Sequence, residues 1–136
     1  MTDNVSDVVA YRTARARETL DEAQVMADSM HWNACVNRLY YACFYAVTAL
    51  LASREIEASR HSMVRSFFNR DFVKTGIFPR ELATVYNDLF ETRRESDYED
   101  FFSSDPSTVQ SWIPLAAAFV EAAAAQLVGP PGPAEP

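Results

Sequence analysis

The sequence predicts an all-α protein, an antiparallel bundle of about five helices, and three observations predict it. Apolar residues recur at intervals of three, four and seven over long stretches, and almost nothing alternates as a strand does. One stretch, from about Trp32 to about Ala52, is apolar nearly all round, as a helix at the centre of a bundle must be. Helix punctuation at Gly76, Pro79, Asp105-Pro106 and Gly129 separates the stretches into short-looped units. A chain of 136 residues makes one domain that buries roughly two thirds of its unfolded surface. There is no internal repeat.

The first helix is expected from about Asp7 to about Ser29 with Ser6 as its N-cap. Val9, Ala16, Leu20, Ala23, Ala27 and Met30 form its inner stripe, and Arg12, Arg15, Glu18, Asp21 and Glu22 its outer face. The second is the oily one and takes the centre. A third begins after Ser59, turns Met63, Val64, Phe67, Phe68 and Phe72 inward, and stops near Gly76, a natural C-terminal breaker. Pro79 opens the fourth at its first turn, where a missing N–H does no harm, and Leu82, Val85, Tyr86, Leu89 and Phe90 supply its core face. Ser96 to Pro106 is expected as a loop that still packs through Tyr98, Phe101 and Phe102. Asp105-Pro106 then starts a fifth helix with Val109, Trp112, Ile113, Ala116, Phe119, Val120, Ala123 and Leu127 inward, and Pro114 kinks it or marks its true start. The domain thus spans residues 7–128, between a disordered N-terminus (1–6) and a disordered Pro-rich tail (129–136).

A net charge of -7 argues against a wholesale polyanion binder, because nonspecific nucleic-acid affinity comes from phosphate neutralisation by Lys and Arg. The charge is unevenly distributed. Eight bases lie between Arg54 and Arg94, while from Glu95 onward there are seven acids and none, so a local anion site on an acidic protein is open. The alternative is that these arginines are solvated or ion-paired. Cys35 and Cys43, eight residues apart on one helix, are too distant for a mutual disulfide and fit buried thiols of a cytoplasmic protein. Thr2, Asp3 and Asn4 do not resemble a secretory leader, and the uncharged run Leu39 to Ser53 is too short and tyrosine-rich to span a bilayer. No membrane role is expected.

The candidate chemistry centres on Arg38, set with Tyr40, Tyr41 and Tyr45 in a helix that has no other charge before Arg54. A buried guanidinium must find partners for its five donors. Asp97 or tyrosine hydroxyls are the expected partners, and an anion clamp is the functional alternative. Arg38, Tyr41 and Tyr45 share one side of the helix and form either a base-stacking face or core. Arg93 and Asp97 are an i, i+4 pair. The only histidines are His31 and His61; His61, between Ser59 and Ser62 at a helix start, is either a capping or packing residue or a proton-transfer group. Two histidines without a Cys or carboxylate cluster at ligand spacing make no zinc site, and no cofactor is expected.

The order of these features resembles the HEPN superfamily, in its branch of small single-domain proteins of unassigned role. The resemblance is carried by Asn37-Arg38-x-x-Tyr41-Ala42, Arg60-His61-Ser62, Phe68, Phe72-Val73, Gly76 and Arg93-x-x-Ser96-Asp97-Tyr98, and covers roughly residues 10 to 128. It implies a helical bundle that forms a homodimer with a cleft near the dimer axis. Many such proteins are metal-independent RNA endonucleases, and many are toxins encoded beside a minimal nucleotidyltransferase that acts as antitoxin. Their nuclease signature is an Arg, four to six residues, then His, at the start of a late helix. Here Arg93 is followed by Asp97 and Tyr98 with no histidine, and the Arg54 to His61 spacing falls in the connection between the second and third helices. Three readings follow. The first is a homodimeric interaction module that partners a nucleotidyltransferase in a toxin and antitoxin pair, its nuclease signature degenerate. The second is a metal-independent ribonuclease with an altered site of Arg93, Asp97 and Tyr98, with His61 as a further catalytic candidate. The third is a nucleotide or RNA binder without turnover using Arg38, Tyr41 and Arg93, with Tyr98 as a further binding candidate. By the same resemblance, Tyr98 is a candidate for modification by the partner.

Overall fold

The computed structural model describes residues 3–98 and 103–128, with the side chains at 3, 4, 97, 98 and 128 outside that description. Five α-helices follow one another: α1 (Asp3–Asp28), α2 (Trp32–Ser53), α3 (His61–Phe68), α4 (Arg80–Tyr98) and α5 (Pro106–Val128), with a π-helical turn at Asn69–Val73 continuing α3. There is no strand among the described residues. The chain is an all-α bundle, as its periodicity predicts. The proposed tail at 129–136 lies outside the described residues, as do Phe101 and Phe102.

Helix α1 begins at Asp3, four residues before the expected Asp7. Acidic residues at positions 3 and 7 suit the positive end of the helix dipole, so Ser6 is carried inside the helix instead of capping it. The chain leaves α1 through a turn at Ser29 and Met30, and the Met30 φ of 62° is left-handed. Met30 N–H donates to Ala27 O at 2.9 Å and His31 N–H to Met26 O at 2.8 Å, closing the last turn. Met30 therefore leaves the helix and is 73% exposed, which corrects its place in the inner stripe; Ala16, Ala23 and Ala27 do form that stripe.

Because the α1–α2 turn is so short, the two helices lie antiparallel, and residues placed symmetrically about Met30 face each other. Arg12 Nη1 donates to Thr48 O at 3.2 Å, the Arg15 guanidinium lies 5.4 Å from the Tyr45 ring centre, and Arg38 meets Glu22 at 3.0 Å. This register places the candidate site.

Helix α2 packs against every other helix. Its buried residues include Cys35, Val36, Leu39, Tyr40, Cys43, Val47, Leu50 and Leu51. It is long and apolar enough to cross a membrane, yet 67% of its most apolar stretch is buried in the bundle. After α2 the chain turns at Glu55 (φ 58°) and runs back alongside the helix to His61. Val64 and Phe68 of α3 and Phe72 of the π turn face inward, whereas Met63 is 46% exposed. The π turn, closed by Lys74 N–H donating to Asn69 O at 2.9 Å, widens the helix by one residue. It leaves Phe68 and Phe72 stacked at 5.9 Å. Gly76, at φ +78°, supplies the left-handed turn that ends the segment.

The far end of the core is aromatic. Phe78 packs 4.8 Å from Phe119 and 5.1 Å from Phe68, with Tyr86 5.6 Å from both Phe68 and Phe119. Each such ring contributes about 1.5 to 3 kcal/mol on burial. Helix α4 starts one residue later than expected, with Pro79 just outside it, its carbonyl accepting from Ala83 N–H at 3.0 Å. It extends through Tyr98, so the loop expected from Ser96 begins later. Helix α5 starts at Pro106, capped by Asp105, whose Oδ2 accepts from Thr108 N–H at 3.0 Å. Pro114 lies inside that helix. Ser104 N–H donates to Asn33 Oδ1 at 2.8 Å, and Arg17 forks onto Glu121 at 2.9 Å, tying α5 to the α1–α2 hairpin.

Candidate functional site

The half-buried Tyr41 ring is the hub of the candidate site. Helix spacing puts Arg38, Tyr41 and Tyr45 on one stripe of α2, and the bundle brings in His61 from the start of α3 and Arg93 from α4. The Arg38 guanidinium carbon lies 5.4 Å from the Tyr41 ring centre and that of Arg93 lies 5.5 Å from it. The His61 ring stands edge-on to Tyr41 at 5.7 Å, and Tyr45 is 6.0 Å away.

Beneath Tyr41 lies Tyr40, fully buried. Its hydroxyl is 2.8 Å from Nδ1 of His61, and the Arg93 guanidinium lies 5.1 Å from its ring centre. Burial pushes the Tyr40 phenol well above the ordinary tyrosine range, so its proton stays on oxygen. When the imidazole is neutral with its proton on Nε2, the phenol donates to Nδ1; when the imidazole is protonated, Nδ1 donates to the phenol oxygen. Phe44 stacks on the imidazole at 4.3 Å. His61 is thereby held by a hydrogen bond at one edge and a ring on its face, and it remains part-exposed.

Arg38 is not the buried cation its sequence context suggests. Its side chain is 29% exposed, and its Nη1 donates to Glu22 Oε1 of α1 at 3.0 Å. Its Nε and Nη2 donate to Asn37 Oδ1 at 3.2 and 2.8 Å. The long stem carries the charge from the oily helix to the α1 seam, where a carboxylate waits. Glu22 also accepts from Arg15 at 3.3 Å, and the Arg38 hydrogen bond leads in lowering its carboxyl below the usual range.

Asp97 and Tyr98 lie in the last turn of α4, with side chains outside the described residues. Arg54 and His61 part company despite their spacing: Arg54 lies 4.3 Å from the Phe72 ring, and His61 sits on Tyr40 and Phe44. His31 is exposed at the head of α2. Residue spacing alone misses Phe44 and Glu22. Phe44 was visible at three residues from Tyr41, and Glu22 could be found only by folding the sequence about Met30. The neighbouring cation Arg65 is answered by Glu91 at 3.0 Å and lies 3.8 Å from the Phe90 ring.

Tyr41, His61 and Arg38 are each part-exposed, so the site reaches the surface. A groove of about 640 Å³ lies elsewhere, between the N-terminal half of α1, the end of α2 and residues 55–59, and none of Arg38, His61 or Arg93 lines it. Among the described residues no three His, Cys, Asp or Glu are grouped to hold a metal ion. Desolvation raises Cys35 to about 11 and pushes Cys43 up as well, so neither is a nucleophile. The face brings together two guanidiniums, that of Arg38 paired with Glu22, a half-buried aromatic ring and an anchored imidazole, the last a group able to move a proton.

Comparison with known proteins adds family to geometry. A Thermotoga maritima protein named "UPF0332 protein" is 41% identical over 115 residues, 85% of this chain and 87% of its own length. In Methanocaldococcus jannaschii, "Putative toxin MJ0142" is 33% identical over 62% of this chain and 58% of its own length. From the same organism, "Putative toxin MJ0605" is 26% identical over 61% of this chain and 62% of its own length. The HEPN domain description matches residues 9–126. With that match spanning α1 to α5 of a five-helix bundle, the chain belongs to the HEPN family.

Proposed function

We propose that this chain is the toxin-type member of a two-protein system: an HEPN module that engages single-stranded RNA on the Tyr41 face and is held in check by a minimal nucleotidyltransferase. The observation that carries the reading is the pairing of Arg38 and Arg93 on one half-buried tyrosine ring with His61 at its edge. Guanidiniums and an aromatic ring on one face are the groups with which proteins hold a single strand, cations for its phosphates and rings for its bases. The relatives whose names carry the word toxin support the cellular role.

In this reading His61 stands in for the histidine that the late-helix signature lacks. His61 of α3 and Arg93 of α4 both sit against Tyr40, so an imidazole and a guanidinium share one niche without sharing a motif. In this reading Arg93 offsets charge at a scissile phosphate and His61 exchanges the proton, with no metal required. A homodimeric module without turnover is the second reading, favoured by the exposed apolar residues Val8, Tyr11 and Val25 along α1.

The test is incubation of the purified protein with single-stranded RNA in chelator. Cleavage that is lost in folded His61→Ala and Arg93→Ala variants supports the catalytic form. Binding without cleavage leaves the RNA-binding form, and neither at micromolar protein removes the RNA reading. Co-purification with the nucleotidyltransferase of an adjacent reading frame supports the partner, and its consistent absence counts against one.

A further inference from the structure

In the α1–α2 seam one carboxylate bridges two arginines. Arg12, Arg15 and Glu22 lie on one stripe of α1, and across the seam stand Thr48, Tyr45 and Arg38, each opposite its partner about Met30. Glu22 bridges two arginines, with Oε1 3.0 Å from Arg38 Nη1 and Oε2 3.3 Å from Arg15 Nη1. One oxygen to each of two guanidiniums is how two oxygens of a phosphate would sit. The carboxylate is 44% exposed, so solvent and solute reach it.

Its surroundings continue the Tyr41 face. Arg15 lies over Tyr45 as Arg38 lies over Tyr41, each at 5.4 Å, and the two rings are 6.0 Å apart. Two cation and ring units therefore stand one helical turn apart on α2, and Glu22 occupies the point between their charges.

We propose that the Arg15–Arg38 pair is a phosphate subsite for the nucleotide next to the one on Tyr41, closed in the free protein by Glu22 and opened when an RNA phosphate displaces that carboxylate. The proposal rests on the RNA reading for its ligand, and on the bridge itself for the site. Displacement releases the carboxylate to water, which its exposure permits, and leaves each guanidinium with a new anionic acceptor. No bond is made or broken. The consequence is a built-in brake: an intramolecular anion competes with every incoming strand.

Fluorescence anisotropy with a labelled single-stranded RNA 12-mer, in a salt series, tests this with Glu22→Gln, the charge-matched neighbour Asp21→Asn, and the double variant Glu22→Gln/Arg15→Gln. Glu22→Gln is expected to bind about three- to tenfold tighter than wild type, with a salt slope steeper by about 0.7 for the added phosphate. Asp21→Asn should stay near wild type, and the double variant should lose the gain. Equal tightening by Asp21→Asn, or a gain that survives loss of Arg15, overturns the subsite and leaves only general charge, while the RNA reading stands. If no variant binds RNA, thermal melts in inorganic pyrophosphate decide: stabilisation of Glu22→Gln beyond wild type retains the anion site without RNA, and equal stabilisation or none removes it. Should Glu22→Gln melt far below wild type, Glu22→Ala enters the same series with the same expected order.

Discussion

Tyr40 and Tyr86 stack with ring centres 6.1 Å apart and planes 18° from parallel, both fully buried, yet their hydroxyls fare differently. The Tyr40 hydroxyl meets His61 Nδ1 at 2.8 Å. That of Tyr86 has no hydrogen-bond partner among the described residues. Removing the two oxygens must therefore have opposite consequences. Tyr40→Phe is expected to cost about 1 kcal/mol, since the part-buried hydrogen bond to His61 is lost, whereas Tyr86→Phe is expected to be neutral or stabilising by about 1 kcal/mol. Urea unfolding of the two variants checks this, and an equal loss in both would show that Tyr86 has a partner.

Arg38→Ala is expected to cost less than about 1 kcal/mol of stability, because its ion pair with Glu22 is part-exposed and screened. On the RNA reading the same variant weakens strand binding and makes the salt slope shallower by about 0.7. A melt far below wild type would return Arg38 to a structural role.

Met30→Gly is expected to stabilise the protein by about 0.5 to 1 kcal/mol, since a β-carbon opposes its left-handed φ of 62° and glycine removes that conflict. Its side chain is 73% exposed, so little burial is lost. Calorimetry showing a lower Tm would mean that the methionine packs on something outside the chain.

Asp105 is held below the usual carboxylate range by hydrogen bonds from the Ser107 hydroxyl and then from Thr108. With the folded value depressed, its stabilisation is complete above the unfolded value of about 3.9 and is lost as pH falls through the folded value. Asp105→Asn should lower Tm at neutral pH and close the gap with wild type in acid. A gap independent of pH would mean that the charge plays no part.

The helices were legible because each buries one face, and burial writes a period of three and four into the chain: Val85, Tyr86, Leu89 and Phe90 turned inward as that period required. So were the boundaries at Gly76 and Asp105, where a local conformation demands a particular residue type. The misplacements are instructive. Met30 and Met63 fit the apolar period and stand in water, because a terminal or surface-edge position leaves one side of the helix uncovered. Arg38 pairs with Glu22 and not with the expected Asp97 or tyrosine hydroxyls, because its context along α2 says that the helix is oily and nothing about which helix lies beside it.

What the sequence by itself determined is therefore a helical bundle, its central helix, and the arginine, tyrosines and histidine that carry its polarity. Only the tertiary structure decided who meets whom. The left-handed turn at Met30 sets the register that gives Arg38 to Glu22, and packing of α3 and α4 on α2 brings His61 and Arg93 to Tyr40 and Tyr41. The physical reason is one of range. Helix propensity and amphipathic period act over a few residues, whereas a site built from four helices depends on angles and registers that only the closed core fixes.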